Sequence, residues 1–264
     1  MSARLIIDDP CDGPANMARD EALLASCTDA LWTPVLRFYA WSAPTISLGY
    51  FQELADVAAQ AGDASDLPVV RRTTGGGAIL HDLEITYSLT LPVDHPLIAG
   101  RPNELYRIAH RAVIAAVGSG ARFFSDGVES CDAPSRRGPF FCFARRHGMD
   151  VVVDRGSGVA KLAGSAQRRT TTAILQHGSI ILDSRFACQP VATWASLGGP
   201  SDFDPAAARL APAFADALRL SLIEDRWRSD ELALADRFVR QYAGDEWTRD
   251  RRRMTDDAPS IPGL

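Results

Sequence analysis

Residues 149–183 read MDVVVDRGSGVAKLAGSAQRRTTTAILQHGSIILD, and this stretch sets the fold class. The β-branched and apolar runs 149–154 and 159–164 flank RGSG (155–158), a turn composition, and predict strand, turn, strand. A further run, 171–183, predicts another strand. Successive strands joined by short connections predict an antiparallel meander.

The same stretch holds the only lysine of the chain. Of 28 basic residues, 27 are arginine and one is Lys161. A bias toward arginine at surface sites spares a lysine only where a guanidinium cannot substitute. An ammonium is compact and can shift its proton; a guanidinium is bulky and permanently charged. Lys161 is therefore a candidate functional residue rather than a chance survivor. It is expected to leave its strand into a small-residue turn, KLAGSAQRR (161–169), within a solvent-accessible cleft.

Outward from the meander, residues 84–91 alternate Ile85, Tyr87, Leu89 and Leu91 on one face, as a half-buried strand does. Residues 36–52, LRFYAWSAPTISLGYFQ, predict two strands broken at Ala43-Pro44. Asn103 can cap a helix to about Val117, with Leu105, Ile108, Ala109, Ala112 and Ala116 in one stripe. Residues 121–147 read as a loop. Asp204 before Pro205 starts a helix, and Ser229 starts another that ends near Gly244. Strands in the middle with helices on both sides predict an α+β domain over residues 1–253. The tail 254–264 is expected to be disordered.

Composition narrows the function classes. The chain has 264 residues, 46% hydrophobic and 23% charged, with a net charge of −5. That balance carries no basic footprint for nucleic acid. No apolar run approaches the roughly 18 residues of a membrane span. The N-terminus, MSARLIIDDP, lacks the apolar region of a signal peptide, so a cytoplasmic location is expected. Cys11, Cys27, Cys131, Cys142 and Cys188 are odd in number and scattered, and no CxxC pair points to a metal.

A second motif lies upstream: RRTTGGGAILHD, residues 71–82. Consecutive glycines let backbone approach a ligand closely and adopt positive φ. Their N–H groups can hold a carboxyl, acyl carbonyl or phosphate oxygen, and Arg72 can add charge. Taken alone, the glycines suit a flexible turn between strands better, because their spacing is neither a Rossmann nor a P-loop one. His81, and His177 in LQHGS, read singly as structural histidines.

Taken in order, these segments resemble the lipoate–protein ligase and octanoyltransferase superfamily, whose catalytic fold is shared with biotin–protein ligases. The resemblance runs from about residue 16 to 247. It is carried by NMARDEAL (16–23), LRFYAWSAPTISLGYFQ (36–52), VVRRTTGGGAILHD (69–82), DVVVDRGSGVAKLAGSAQRR (150–169), ILQHGSIIL (174–182) and YAGDEWTRDR (242–251). It implies a biotin/lipoate ligase-like α+β domain with a mixed, largely antiparallel sheet flanked by helices. The family's lysine falls on Lys161, implied to contact the activated acyl carbonyl. The arginine before the loop falls on Arg72, and the ligand cradle on Gly75, Gly76, Gly77 and Ala78. His81, Gly164 and His177 join the implied substrate-binding set. The family delivers an acyl chain to a lysine of a lipoyl carrier domain.

Such proteins activate the acyl group in two ways. Ligases use ATP and magnesium through an acyl-adenylate, often with a further C-terminal domain. Transferases take octanoyl from acyl carrier protein, or from another lipoyl domain, through a cysteine thioester, without a cofactor. YAGDEWTRDR ends 13 residues before the last residue, Leu264, which leans toward a transferase. So does Cys142, in FFCFARRHGMDVVV, which resembles the position of the transferase nucleophile. Cysteine attacks as thiolate, which a neighbouring Lys161 ammonium would favour, with Arg145, Arg146 and His147 at hand. Cys131, in CDAPS, competes for the role, and Cys142 can also be read as core filler. GGGAILHD is closer to the ligase form, and the loop before Lys161 is longer than usual for the family. The expected partners are acyl carrier protein and the lipoyl-domain proteins, glycine cleavage H protein and the 2-oxoacid dehydrogenase E2 subunit. A non-catalytic lipoyl-domain binder is a further alternative, disfavoured because simple binding would tolerate arginine at 161.

Overall fold

The computed structural model describes residues 1–98, 100–118, 120–124, 139–156 and 158–253. Eleven strands run in chain order as β1 (Ser2–Ile7), β2 (Val35–Tyr39), β3 (Thr45–Leu48), β4 (Val69–Arg71), β5 (Ile79–His81), β6 (Glu84–Pro92), β7 (Ala121–Phe123), β8 (Val151–Arg155), β9 (Gly158–Arg169), β10 (Ala173–Ile181) and β11 (Ser221–Glu224). The helices are α1 (Gly13–Ser26), α2 (Ala55–Gln60), α3 (Asn103–Val117), α4 (Phe203–Leu218), α5 (Ser229–Ala243) and α6 (Asp245–Asp250).

The larger sheet has the order β11-β1-β2-β6-β10-β9-β8-β7 and the smaller β4-β3-β5. The meander predicted from residues 149–183 is its antiparallel centre: β8 pairs with β9, β9 with β10, and β10 with β6. The β11–β1, β1–β2 and β3–β4 pairings are parallel, so the architecture is mixed.

Two helix layers enclose the large sheet. Leu36 and Phe38 of β2, with Ile85, Tyr87 and Leu89 of β6, pack under α3 and α4. Phe214 of α4 meets Phe38 edge-on at 5.7 Å and Tyr87 at 5.0 Å. On the other face, Met17 and Ala22 of α1 pack with Tyr39, and with Phe238 and Tyr242 of α5. The prediction of a half-buried β6 is therefore corrected: all nine of its residues are buried. Its alternation is real, but Thr86, Ser88 and Thr90 on the second face are covered by protein rather than water.

Other boundaries moved for local reasons. Asn103 is the first residue of α3 and Pro102 its N-cap. Asp202 occupies the N-cap of α4, which places Pro205 in the first turn, where its missing N–H costs nothing. The two strands expected in 36–52 form on either side of Pro44, but β2 joins the large sheet and β3 the small one. β1 and β11, too short and irregular in pattern to be read, form the parallel edge. Part of 121–147 is ordered as β7 and a 3-10 turn, Cys142–Ala144.

Candidate active site

β9 does not turn after Lys161. It runs on to Arg169, so Gly164, Ser165 and Ala166 are strand residues. Lys161 is 2% exposed, which corrects the expectation of an open cleft. Its Nζ lies 2.9 Å from Asp150 Oδ2, 3.4 Å from the Cys142 carbonyl oxygen and 3.6 Å from Cys142 Sγ. The β8–β9 hairpin makes the first contact. Lys161 pairs with Val152, the register shifts at Val151/Val152, and Asp150 stands just before the strand. Burial opposes charge on Lys161, but Cys142 and the Asp150 carboxylate outweigh it and hold the ammonium above its usual range.

The glycine segment delivers Cys142. The Cys142 amide donates to the Ala78 carbonyl at 2.7 Å, and the Ala78 amide donates to the Phe140 carbonyl at 2.9 Å. Gly77 permits this approach: a Cβ there would fall 2.9 Å from Cys142 N. Gly76 has φ +95°, a conformation that suits glycine. Gly75 has open space where a side chain would be. Arg72 is not free to reach a ligand as a mobile charge. Its guanidinium donates to Ser47 O, Ser47 Oγ, Gly75 O and Gly77 O, and so shapes the segment from below. Burial lowers its pKa to about 10.

His81 and His177 line one pocket with Arg72, Met17, Trp41 and Ile79. Ile79 also belongs to the apolar cluster of Phe143, Ile181 and Val191 against which Cys142 packs. His81 stacks on Trp41 at 3.8 Å; Nδ1 meets Glu84 Oε1 at 2.8 Å and Nε2 meets Ser47 Oγ at 2.7 Å. Its burial lowers its pKa. His177 bridges Asp20 Oδ2 at 3.0 Å and Thr74 Oγ1 at 2.7 Å. Asp20 also accepts from Arg37 at 2.7 Å and Tyr39 at 3.0 Å. A buried chain of polar groups thus ties α1 to the glycine segment.

Asp150, Asp20 and Thr74 were not singled out from the sequence. Asp150 and Asp20 sit inside quoted motifs, and an acid at the start of the strand that pairs with the lysine strand was the available signal. Arg145 and Arg146 bond to the carbonyls of Pro139 and Phe143 rather than to Cys142. Burial raises the thiols of Cys11, Cys27 and Cys188, the last two to about 12, and Asp63 adds to the effect at Cys188. Cys131 lies outside the described residues. Among the described residues no group of three or more His, Cys, Asp or Glu is placed to hold a metal, and no helix is long and apolar enough to cross a membrane.

A thiol thus lies against a buried ammonium on a mixed sheet enclosed by helices. The chain belongs to the lipoyl protein ligase A/B catalytic domain family, whose model matches residues 12–193. It is 34% identical to an octanoyltransferase LipM of Kyrpidia tusciae over 88% of this chain and 93% of that one. It is 31% identical to the octanoyltransferase LipM of Brevibacillus brevis, over 92% and 97%. Its fold matches a lipoate-protein ligase A bound with ATP, at TM-score 0.74, 22% identity and coverage of 94% and 99%. A bi-partite lipoate protein ligase described with its E2 lipoyl domain, from Thermoplasma acidophilum, matches at TM-score 0.73, 22% identity and coverage of 97% and 99%. The chain is an acyltransferase of this family.

Proposed function

We propose that this chain moves an octanoyl group from acyl carrier protein, or from a lipoyl domain, through a thioester on Cys142 to a lysine of a recipient lipoyl domain. The observation that carries the reading is the 3.6 Å contact between Lys161 Nζ and Cys142 Sγ. The curated relatives named octanoyltransferases support the acyl group, and the lipoyl domain described with the T. acidophilum ligase supports the recipient class. Glycine cleavage H protein and the E2 subunit are the recipients of that class.

In the first half-reaction the Cys142 thiolate attacks the octanoyl carbonyl. The Sγ–C bond forms. With acyl carrier protein the carbon–sulfur bond to its pantetheine breaks and the departing thiolate takes up a proton. With a lipoyl domain the carbon–nitrogen bond to its lysine breaks and the departing amine takes up a proton. In the second, the recipient amine attacks the Cys142 thioester. An amide forms, the amine loses its proton, and Cys142 leaves as thiolate. The ammonium of Lys161 is the cation nearest the charge that develops on the carbonyl oxygen. Met17, Trp41 and Ile79 supply the apolar part of the lining of the His81–His177 pocket, against which methylenes of the chain would be buried, at about 0.8 kcal/mol each. With either donor the acyl group arrives already bound, as a thioester on acyl carrier protein or as an amide on a lipoyl domain, so no ATP or magnesium enters the cycle.

Intact mass after mixing with octanoyl-carrier protein, with no ATP, tests the reading. A thioester adduct of octanoyl mass, passed on when a lipoyl domain is added, is expected. No adduct, together with octanoylation only from free octanoate and ATP, would make the chain a ligase. No transfer under either condition would make it a lipoyl-domain binder.

A further inference from the structure

An ammonium has three N–H donors. Among the described residues Lys161 Nζ has three acceptors: Asp150 Oδ2, Cys142 O and Cys142 Sγ. As the site stands, no donor is left for the oxygen of an acyl group. Yet Lys161 is the cation that the proposed chemistry needs at that oxygen. Of the three acceptors, only the sulfur changes during the cycle. Once Sγ carries the acyl group it is a neutral thioester sulfur and a poor acceptor, while Asp150 and the Cys142 carbonyl are unaltered.

We propose that Asp150 is a positioning residue, an anchor about which Lys161 redirects its third N–H from Cys142 Sγ to the acyl carbonyl oxygen when the thioester forms. The inference rests on the cysteine route proposed above. The anchor is built to hold still. Asp150 Oδ2 also accepts the His147 amide at 2.8 Å, and the Asp150 amide returns a bond to the His147 carbonyl at 2.9 Å. The carbonyl of the preceding Met149 accepts from His110 Nδ1, and His110 Nε2 is fixed by Ser165 Oγ at 2.8 Å. Burial disfavours charge on His110. The turn carrying Asp150 is thus stapled to α3 and β9, while the lysine stem lies along Gly164, where no side chain impedes it.

The anchor has a cost. A carboxylate 2.9 Å from the ammonium neutralises part of the charge that would otherwise favour the Cys142 thiolate. Asp150 therefore trades resting reactivity of the sulfur for a correctly aimed donor later in the cycle. The other charged or titratable groups around the three are Arg72 and Arg145, Tyr106 and His110 from α3, and His147. None of them changes in the test below.

Asp150→Asn removes the charge and keeps the shape. Two readouts should move in opposite senses. Alkylation of Cys142 by iodoacetamide at pH 7 should become severalfold faster than in wild type, and the two rates should converge near pH 10. Octanoyl transfer should fall by at least about tenfold, part of the loss of an oxyanion donor. A loosened fold would instead speed alkylation at both pH values. Equal pH 7 alkylation in the two proteins, or undiminished transfer, overturns the proposal. Asp150→Ser takes the place of the variant if Asp150→Asn does not fold. Alkylation reports on the resting site whether or not the chain forms a thioester. A wild-type chain that forms no octanoyl adduct therefore overturns the function, whereas a flat alkylation ratio overturns only the anchor.

Discussion

Gly164 lacks a side chain at the point of β9 where a Cβ would fall 2.4 Å from Cε and 2.7 Å from Nζ of Lys161. The missing side chain at Gly164 makes room for the ammonium. The atoms in conflict are the far end of a flexible chain, so the strand can tolerate a methyl group by moving the lysine. Gly164→Ala is expected to fold with little change in thermal midpoint and to lose at least about tenfold in transfer rate. A variant that transfers at the wild-type rate would show that the position of Nζ is not critical.

Lys161→Arg keeps the charge but must fit a planar guanidinium into the space bounded by Gly164, Asp150 and Phe143. At least about a 100-fold loss of transfer is expected, the scale of one oxyanion donor. The buried position also makes a stability effect expected. Lys161→Met leaves Asp150 without its partner, at about 3–5 kcal/mol. Steady-state transfer and urea unfolding check the two parts. A loss below tenfold in well-folded Lys161→Arg would make the lone lysine an accident of composition.

Cys142→Ser should abolish both transfer and the hydroxylamine-sensitive adduct, because a thiolate is the nucleophile and a serine hydroxyl stays un-ionised at neutral pH. Cys131→Ser should keep both. The reverse outcome would move the nucleophile to the segment that lies outside the described residues. Full activity in both variants would end the cysteine route.

Burial holds His81 and His110 below the ordinary value of 6.5. The folded chain then binds fewer protons than the unfolded chain in the window below 6.5, so stability rises with pH there. The contribution is present above 6.5 and is lost as pH falls through the depressed folded values. Each histidine adds up to about 1.4 kcal/mol per pH unit within the window. Urea midpoints between pH 7.5 and 5 should fall, and more gently in His110→Gln. An equally steep fall in that variant would assign the acid loss elsewhere, for instance to His81 alone.

Local pattern carried much of this molecule. The meander, α3 and α5 follow from periodicity and turn chemistry, which depend on neighbours in the chain. The isolation of Lys161 among 27 arginines is a fact of composition alone. Pairing across the chain was beyond such reading. Nothing within a few residues of His177 announces Asp20, 157 positions away, and nothing near Arg72 tells that its guanidinium holds the glycine segment from inside. The closed second face of β6 was hidden for the same reason: threonine and serine read as solvent-facing until α1 is laid over them. The burial of Lys161 and its ion pair with Asp150 were decided by the β8–β9 register and its shift at Val151/Val152. A one-residue slip turns a side chain to the opposite face of a sheet. Sequence named the ammonium and the thiol, and only packing in three dimensions set the carboxylate against the ammonium.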